Sequence, residues 1–184
     1  MDRQRVTIRL LRGERSEMTQ LQRVFEEAPT YFEIVTGGPP GPAEAQSTYT
    51  VLPEGKSYED KFVFGICAGT EMVGCADLIR GYPDASTAYL GLLLVSEKDQ
   101  RRGIGRLAFQ ELEEFVRGWR TCDRIRLAVV RTNAGTIPFW RRLGFEPTGE
   151  IRPYRYGSVV SESILLEKGL DHRLPNTRLE RAGG

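Results

Sequence analysis

The stretch QRRGIGR at residues 100–106 carries three arginines and two glycines one residue apart. It follows the apolar run TAYLGLLLV at 87–95 and leads into RLAFQELEEF, whose apolar residues repeat with a helical period. A loop that opens a helix presents unpaired backbone N–H groups and the positive end of the helix dipole, and the two together bind anions. Gly103 and Gly105 permit close approach to the backbone, while Arg101, Arg102 and Arg106 add charge-assisted donors suited to phosphate. These residue types at this spacing describe a diphosphate cradle. A solvated charge run, or glycines that merely end a strand, would share the same letters. The dinucleotide pattern G-x-G-x-x-G is met only permissively, with Ala108 at its third position, and the Gly-Lys-Ser/Thr of a P-loop is missing.

The elements that must position this loop can be read from patterning. VTIRL at 6–10 alternates as a strand, and a helix is expected from Ser16, with Ser16 as its cap and Pro29 as its stop. YFEIV at 31–35 fits either helix or strand. The Gly/Pro cluster at 37–42 cannot begin as regular structure and reads either as a surface connection or as a flap over a ligand site. KFVFGICAG and EMVGCADLIRGY read as a hairpin turning near Gly69 and Thr70. TAYLGLLLV is apolar on both faces, as a doubly covered central strand must be. A helix to about Trp119, the strand RIRLAVV at 124–130, a short helix ended by Gly144 and a last strand at 158–168 complete the order. This is an α/β (α+β) arrangement: a mixed sheet with helices packed on it and a parallel crossover from Val95 to Val130.

The chain has 184 residues and a net charge of +1, which suits one domain and gives no global field for nucleic acid or an anionic membrane. One domain over 1–168 with a polar tail over 169–184 is expected. No apolar run is long enough to span a bilayer, and MDRQRVTIRL lacks the apolar core of a signal peptide. Cys67, Cys75 and Cys122 form neither a metal-ligand spacing nor a disulfide framework, so a reduced, cytoplasmic setting is the simpler reading and no metal site is expected. His172, the only histidine, sits in the polar tail.

LLLVSEKDQRRGIGRLAFQELEEF resembles the acetyl-CoA-binding signature of the GNAT superfamily of N-acetyltransferases: a strand ending in Val, a short acidic loop, then Q/R-x-x-G-x-G/A opening a helix. Gln100, Arg101, Arg102, Gly103, Ile104 and Gly105 fill the last part. NAGTIPFWRRLGF resembles the family's N-x-x-A-x-x-x-Y-x-x-x-G-F segment through Asn133, Gly144 and Phe145, with Thr136 in place of the alanine and Trp140 in place of the tyrosine. The order and separation of the two segments are those of the family.

The resemblance implies a mostly antiparallel central sheet with a split parallel pair and helices on both faces. It implies acetyl-CoA as cofactor, with Leu93, Leu94 and Val95 along the pantetheine arm and the amides of Arg101 to Arg106 on the pyrophosphate. Asn133 would contact the arm or buttress the split. Phe139 and Trp140 would lie near the arm and the thioester, unless they pack as core, the reading preferred for Phe139. A homodimer is common in such proteins, though no exposed stripe here demands one.

Acetyl transfer to an amine needs a neutral nitrogen, yet a free alkylamine has a pKa of about 10.4. A base must therefore take a proton. Asp77 is the first candidate, since an acid inside an apolar strand is costly unless paired. Its alternative is a solvent-facing residue, or a partner of Arg80 or a neighbour. Glu33 and Asp84 are further acids on loops. The family's usual acid for the departing thiolate is the tyrosine that Trp140 replaces, and an indole N–H is no useful acid. Either that acid is dispensable or Tyr154 or Tyr156 stands in; both also read as strand residues packing on the last hairpin. The expected activity is acetyl-CoA-dependent N-acetylation of a primary amine, of a small molecule first. A protein or peptide acceptor and a non-catalytic acyl-CoA-binding module are the alternatives. Nucleic acid is excluded by charge and by missing RNA-binding motifs.

Overall fold

The computed structural model describes residues 5–171, so His172 lies outside the described residues. In chain order the elements are β1 (Val6–Leu10), α1 (Arg15–Glu26), α2 (Pro29–Thr36), α3 (Glu44–Thr50), β2 (Lys61–Ala68), β3 (Glu71–Arg80), β4 (Thr87–Val95), α4 (Ile104–Arg117), β5 (Arg124–Val130), α5 (Ile137–Arg142), β6 (Glu146–Tyr156) and β7 (Val159–Gly169). One seven-stranded sheet runs β1-β2-β3-β4-β5-β7-β6. Every neighbouring pair is antiparallel except β4 and β5.

The two-sided apolar strands are buried on both faces. Val63, Cys75 and Leu94 pack under α1 and α2 with Leu21, Phe25 and Phe32. Their neighbours Phe64, Ala76 and Leu93 point the other way, toward a cluster with Phe109, Leu112, Trp140 and Phe145 from the α4 and α5 side. Alternation along a strand sends successive side chains to opposite faces, so one hairpin feeds two cores.

Several expectations need correction. The first helix starts at Arg15, and Ser16 is not its cap; the buried Glu17 carboxylate reaches back to accept from the amides of Arg12 (2.7 Å) and Glu14 (3.2 Å). Pro29 opens α2 as well as following α1, which resolves YFEIV as helix, because Pro at a first helical position loses no hydrogen bond. The Gly/Pro cluster is a short connection followed by α3, a helix the sequence pattern did not show.

β6 is absent from the expected order of elements, although Tyr154 and Tyr156 within it also read as strand residues of the last hairpin. Pro147 and Pro153 lie inside β6, which only an edge strand tolerates, and β6 is the sheet edge. β7 runs on to Gly169 and Leu170 is buried in the core, so ordered structure continues past Lys168.

Candidate functional site

β4 and β5 pair over only three positions, Thr87↔Arg124, Ala88↔Ile125 and Tyr89↔Arg126. Beyond Tyr89, β4 stays bonded to β3 as far as Val95, and beyond Arg126, β5 stays bonded to β7 as far as Val130. The two strands therefore part, and each leaves one backbone edge facing the gap. The parting begins beside a bulge: Asp77 pairs with Leu92 and Leu78 with Leu90, so Gly91 has no partner opposite. A bulge bends and twists its strand, which turns β4 away from β5. Leu93, Leu94 and Val95 lie on this parted stretch, with Leu94 and Val95 buried and Leu93 half-buried.

The QRRGIGR loop closes the end of the gap. The Gln100 side-chain amide donates to the Val95 carbonyl (3.0 Å), tying the loop to the end of β4. Arg102 pairs with Asp99. Arg101 sits at φ 59° and Gly103 at φ 83°, left-handed geometry that is costly for any residue except glycine. Gly103 caps α4 without any side-chain hydrogen bond. Among the described residues the amides at 101–106 make no hydrogen bond; Gln100 below them donates to Glu97 and Leu107 above them to Gly103. Six successive N–H groups thus have no partner among the described residues at the start of a fourteen-residue helix.

A Cβ on Gly103 would meet nothing within 4 Å, and one on Gly105 would touch Phe139 at 3.5 Å and Val95 at 3.9 Å, both ordinary contacts. The fold itself does not need a glycine at 105 for space. Ile104 is buried, while Arg101 and Arg106 are exposed.

Across the gap, Asn133 lies in the turn Arg131–Thr136 directly after β5. Its carbonyl accepts from the Thr136 hydroxyl (2.9 Å), and its side-chain amide makes no hydrogen bond among the described residues. On α5 the two aromatics divide. Trp140 is 8% exposed and sits among Phe109, Phe139 and Phe145 with ring centroids 5.0–6.1 Å away. Phe139 is half-buried and borders Gly105 and Val95. Adjacent helical residues point about 100° apart, so Trp140 is buried within the core while Phe139 packs on its edge, beside the loop. Phe139 thus packs on the core, the reading preferred for it, and Trp140 packs in the core as well.

On the α2 and α3 side a cavity of about 290 Å³ brings together Asp77, Tyr154 and Tyr156, the three residues singled out for proton transfer. Asp77 does not pair with Arg80. Lys61, 3% exposed at its side chain, donates to both Asp77 oxygens at 2.9 Å, while Arg80 goes to Asp60 and lies over Phe62 and Trp119. Burial pushes the Asp77 carboxyl above its ordinary range, and Lys61 opposes that rise. A Cβ at Gly91 would stand 3.3 Å from Asp77 Oδ2, so the glycine in the bulge leaves that oxygen, which accepts from Lys61, without a side chain on its Gly91 side.

The Tyr154 hydroxyl donates to the Val35 carbonyl (2.8 Å), and burial raises its pKa. Tyr156 is 50% exposed and its hydroxyl makes no hydrogen bond among the described residues. Burial also raises the Tyr31 hydroxyl, assisted by Tyr154, Cys75 and Glu44. Glu33 and Asp84 do not line the cavity; Asp84 is held low by Ser86 and Thr87.

A clasp holds Thr36, one of the lining residues. Thr36 O accepts from the Ser158 amide at 3.0 Å and its hydroxyl at 3.5 Å. Gly157 (φ 57°) comes so close that a Cβ would lie 2.2 Å from Thr36 O. This joins the end of α2 to the turn between β6 and β7. The sequence did not reveal Lys61, Glu44, Tyr31 or this clasp. For Lys61 the signal was available: a lysine beginning an apolar strand, two residues before the position opposite Asp77 in the hairpin.

The model of the Acetyltransferase (GNAT) family matches residues 21–145. No curated protein matches the chain. Among solved structures, an acetyltransferase from Thermus thermophilus is 29% identical with a TM-score of 0.66, over 89% of this chain and 97% of that one. The ribosomal-protein-S18-alanine N-acetyltransferase from Escherichia coli is 20% identical with a TM-score of 0.63, over 94% and 98%. The IAA acetyltransferase from Bacillus cereus is 15% identical with a TM-score of 0.58, over 90% and 100%. The last two likenesses are of fold alone. The match over 21–145 spans the parted strands, the amide-lined loop and the helix with Phe139 and Trp140, and by it the chain belongs to the GNAT family of acetyltransferases.

Proposed function

We propose that the chain moves an acetyl group from acetyl-CoA to the primary amine of a small molecule, directly and within one ternary complex. The observation that carries this is the parted β4–β5 pair ending on six free amides, beside a cavity that holds an acid. The residues fit the cofactor: free amides and the exposed Arg101 and Arg106 suit its pyrophosphate, and the open space over Gly103 admits it. The free edge at Leu93, Leu94 and Val95 would pair with the amide-bearing arm, with the Asn133 side chain as a further partner and Phe139 flanking it. Bound acetyl-CoA supplies the activated acyl carbon.

The protein's own task is the proton. Asp77 lines the cavity beside Gly91, and takes the proton of the entering ammonium. Its raised pKa makes it a stronger base than an ordinary aspartate, and Lys61 favours the ionised form against the effect of burial. Of the two tyrosines, Tyr156 has its hydroxyl proton uncommitted, so it is the candidate acid; that of Tyr154 is engaged with Val35. A CoA thiolate leaves readily enough that loss of this acid costs little.

The limited cavity and the clasp at Thr36 favour a small acceptor over a protein one. The test is release of CoA thiol from acetyl-CoA against polyamines, amino acids, aminoglycosides and short peptides. Release with one class of small amine is expected. Release with peptides alone would favour the protein-acceptor reading. No release with any amine, while acetyl-CoA still raises the melting temperature, would favour a non-catalytic acyl-CoA-binding module.

A further inference from the structure

The charges around the acceptor cavity do not balance. Lys61 and Asp77 neutralise each other at 2.9 Å. The carboxylate left over is that of Glu44, the first residue of α3, which has no ion pair or side-chain hydrogen bond among the described residues. The rest of the lining is mostly apolar, with Phe32, Val35, Val51 and Leu92 beside the hydroxyls of Thr36, Ser47 and Thr48. Tyr31, Tyr154 and Tyr156 contribute aromatic rings to the same cavity.

We propose that the acceptor is an aliphatic amine bearing a second, lasting positive charge, which Glu44 holds while the reacting nitrogen lies near Asp77. This rests on the acetyltransferase reading above.

The attacking nitrogen must be neutral, so a carboxylate beside it serves best as a base, the place Asp77 fills. A second carboxylate brought in by a different element stabilises a group that keeps its charge. A methylene stem suits the apolar part of the lining, and a cation near tyrosine rings gains cation–π attraction. An acceptor with a carboxylate would meet Glu44 with no cation free to receive it, since Lys61 is engaged on both Asp77 oxygens.

Three probes of equal length and different end charge test this: 1,4-diaminobutane, butylamine and 4-aminobutanoate. The expected order of kcat/KM is diamine, then monoamine, then amino acid, with steps of about tenfold as for one charged contact. Glu44→Gln should reduce the diamine-to-monoamine ratio about tenfold, chiefly through KM, and Glu44→Lys should turn the preference toward 4-aminobutanoate. A flat series in the wild type, a preference for 4-aminobutanoate, or an unchanged ratio in Glu44→Gln overturns the inference. Calorimetric titration of the three compounds onto the intact protein separates the two claims. Binding that follows the charge order with no CoA release from any amine would refute acetyl transfer and leave the charge preference standing. Turnover with a flat series would do the reverse.

Discussion

The two halves of the site are built from different materials. The cofactor half is backbone: two parted strand edges and six amides at the start of α4. The acceptor half is side chains and clasped turns: Lys61 on Asp77, Glu44 from α3, Tyr154 on Val35, Gly157 against Thr36. A backbone site tolerates many side chains provided the chain path survives, whereas a side-chain site changes with each substitution. The difference teaches where this protein holds its chemistry constant and where it can set its choice of amine.

Substitutions that respect the fold should separate the halves. The largest effect is expected for Gly105→Asp. A side chain fits there, and an acid in a first helical turn is favourable for the helix, so the protein should stay folded. It would place negative charge where pyrophosphate is expected, and acetyl-CoA affinity should fall by about a hundredfold or more, as for a repulsive buried charge. Normal calorimetric binding by a folded Gly105→Asp protein would move the cofactor site elsewhere.

Next is Lys61→Met. It leaves Asp77 buried and unpaired, a loss of about 3–5 kcal/mol for a broken buried pair. Asp77 already titrates above its ordinary value through burial, against the opposing pull of Lys61. A base acts only when ionised, so kcat/KM should rise with pH through that raised pKa, and in Lys61→Met this limb should move to higher pH. Stability runs the other way. A raised folded-state pKa contributes stability that is complete below the unfolded pKa and is lost as pH rises through the folded one. The melting deficit of Lys61→Met should therefore grow with pH. A limb that stays in place would remove Asp77 as the base.

Gly91→Ala should be smaller. Its methyl would press on Asp77 Oδ2 at 3.3 Å, so kcat should fall several-fold while acetyl-CoA affinity holds, read by steady-state kinetics beside calorimetry. Smallest is Tyr154→Phe, which removes one hydrogen bond to Val35 and should cost about 1 kcal/mol of stability in chemical denaturation. A fall in kcat larger than that of Tyr156→Phe, with the fold intact, would make Tyr154, rather than Tyr156, the acid.

The same division governs what could be read from the sequence. The amide-lined loop was legible because its signal is local: glycines, arginines and a helix start within seven residues. The parallel crossover followed from the order of apolar runs. Lys61 and Asp77 are 16 positions apart, and Tyr154 and Val35 are 119 apart, so their meeting depends on sheet register and not on any local pattern. β6 hid because an edge strand can carry Pro147 and Pro153 and needs no apolar alternation. Both aromatics of α5 meet the core, and periodicity located the helix without telling that Trp140 is the more deeply buried of the two.

The most direct test of the cofactor half is amide hydrogen exchange, followed by mass spectrometry, with and without acetyl-CoA. Amides without partners exchange fast, so those at 101–106 offer a low baseline. Slowed exchange in the segment spanning 93–106, with the far side of the sheet unchanged, is the predicted result. Acetyl-CoA binding that leaves 93–106 unprotected and slows exchange elsewhere would contradict it.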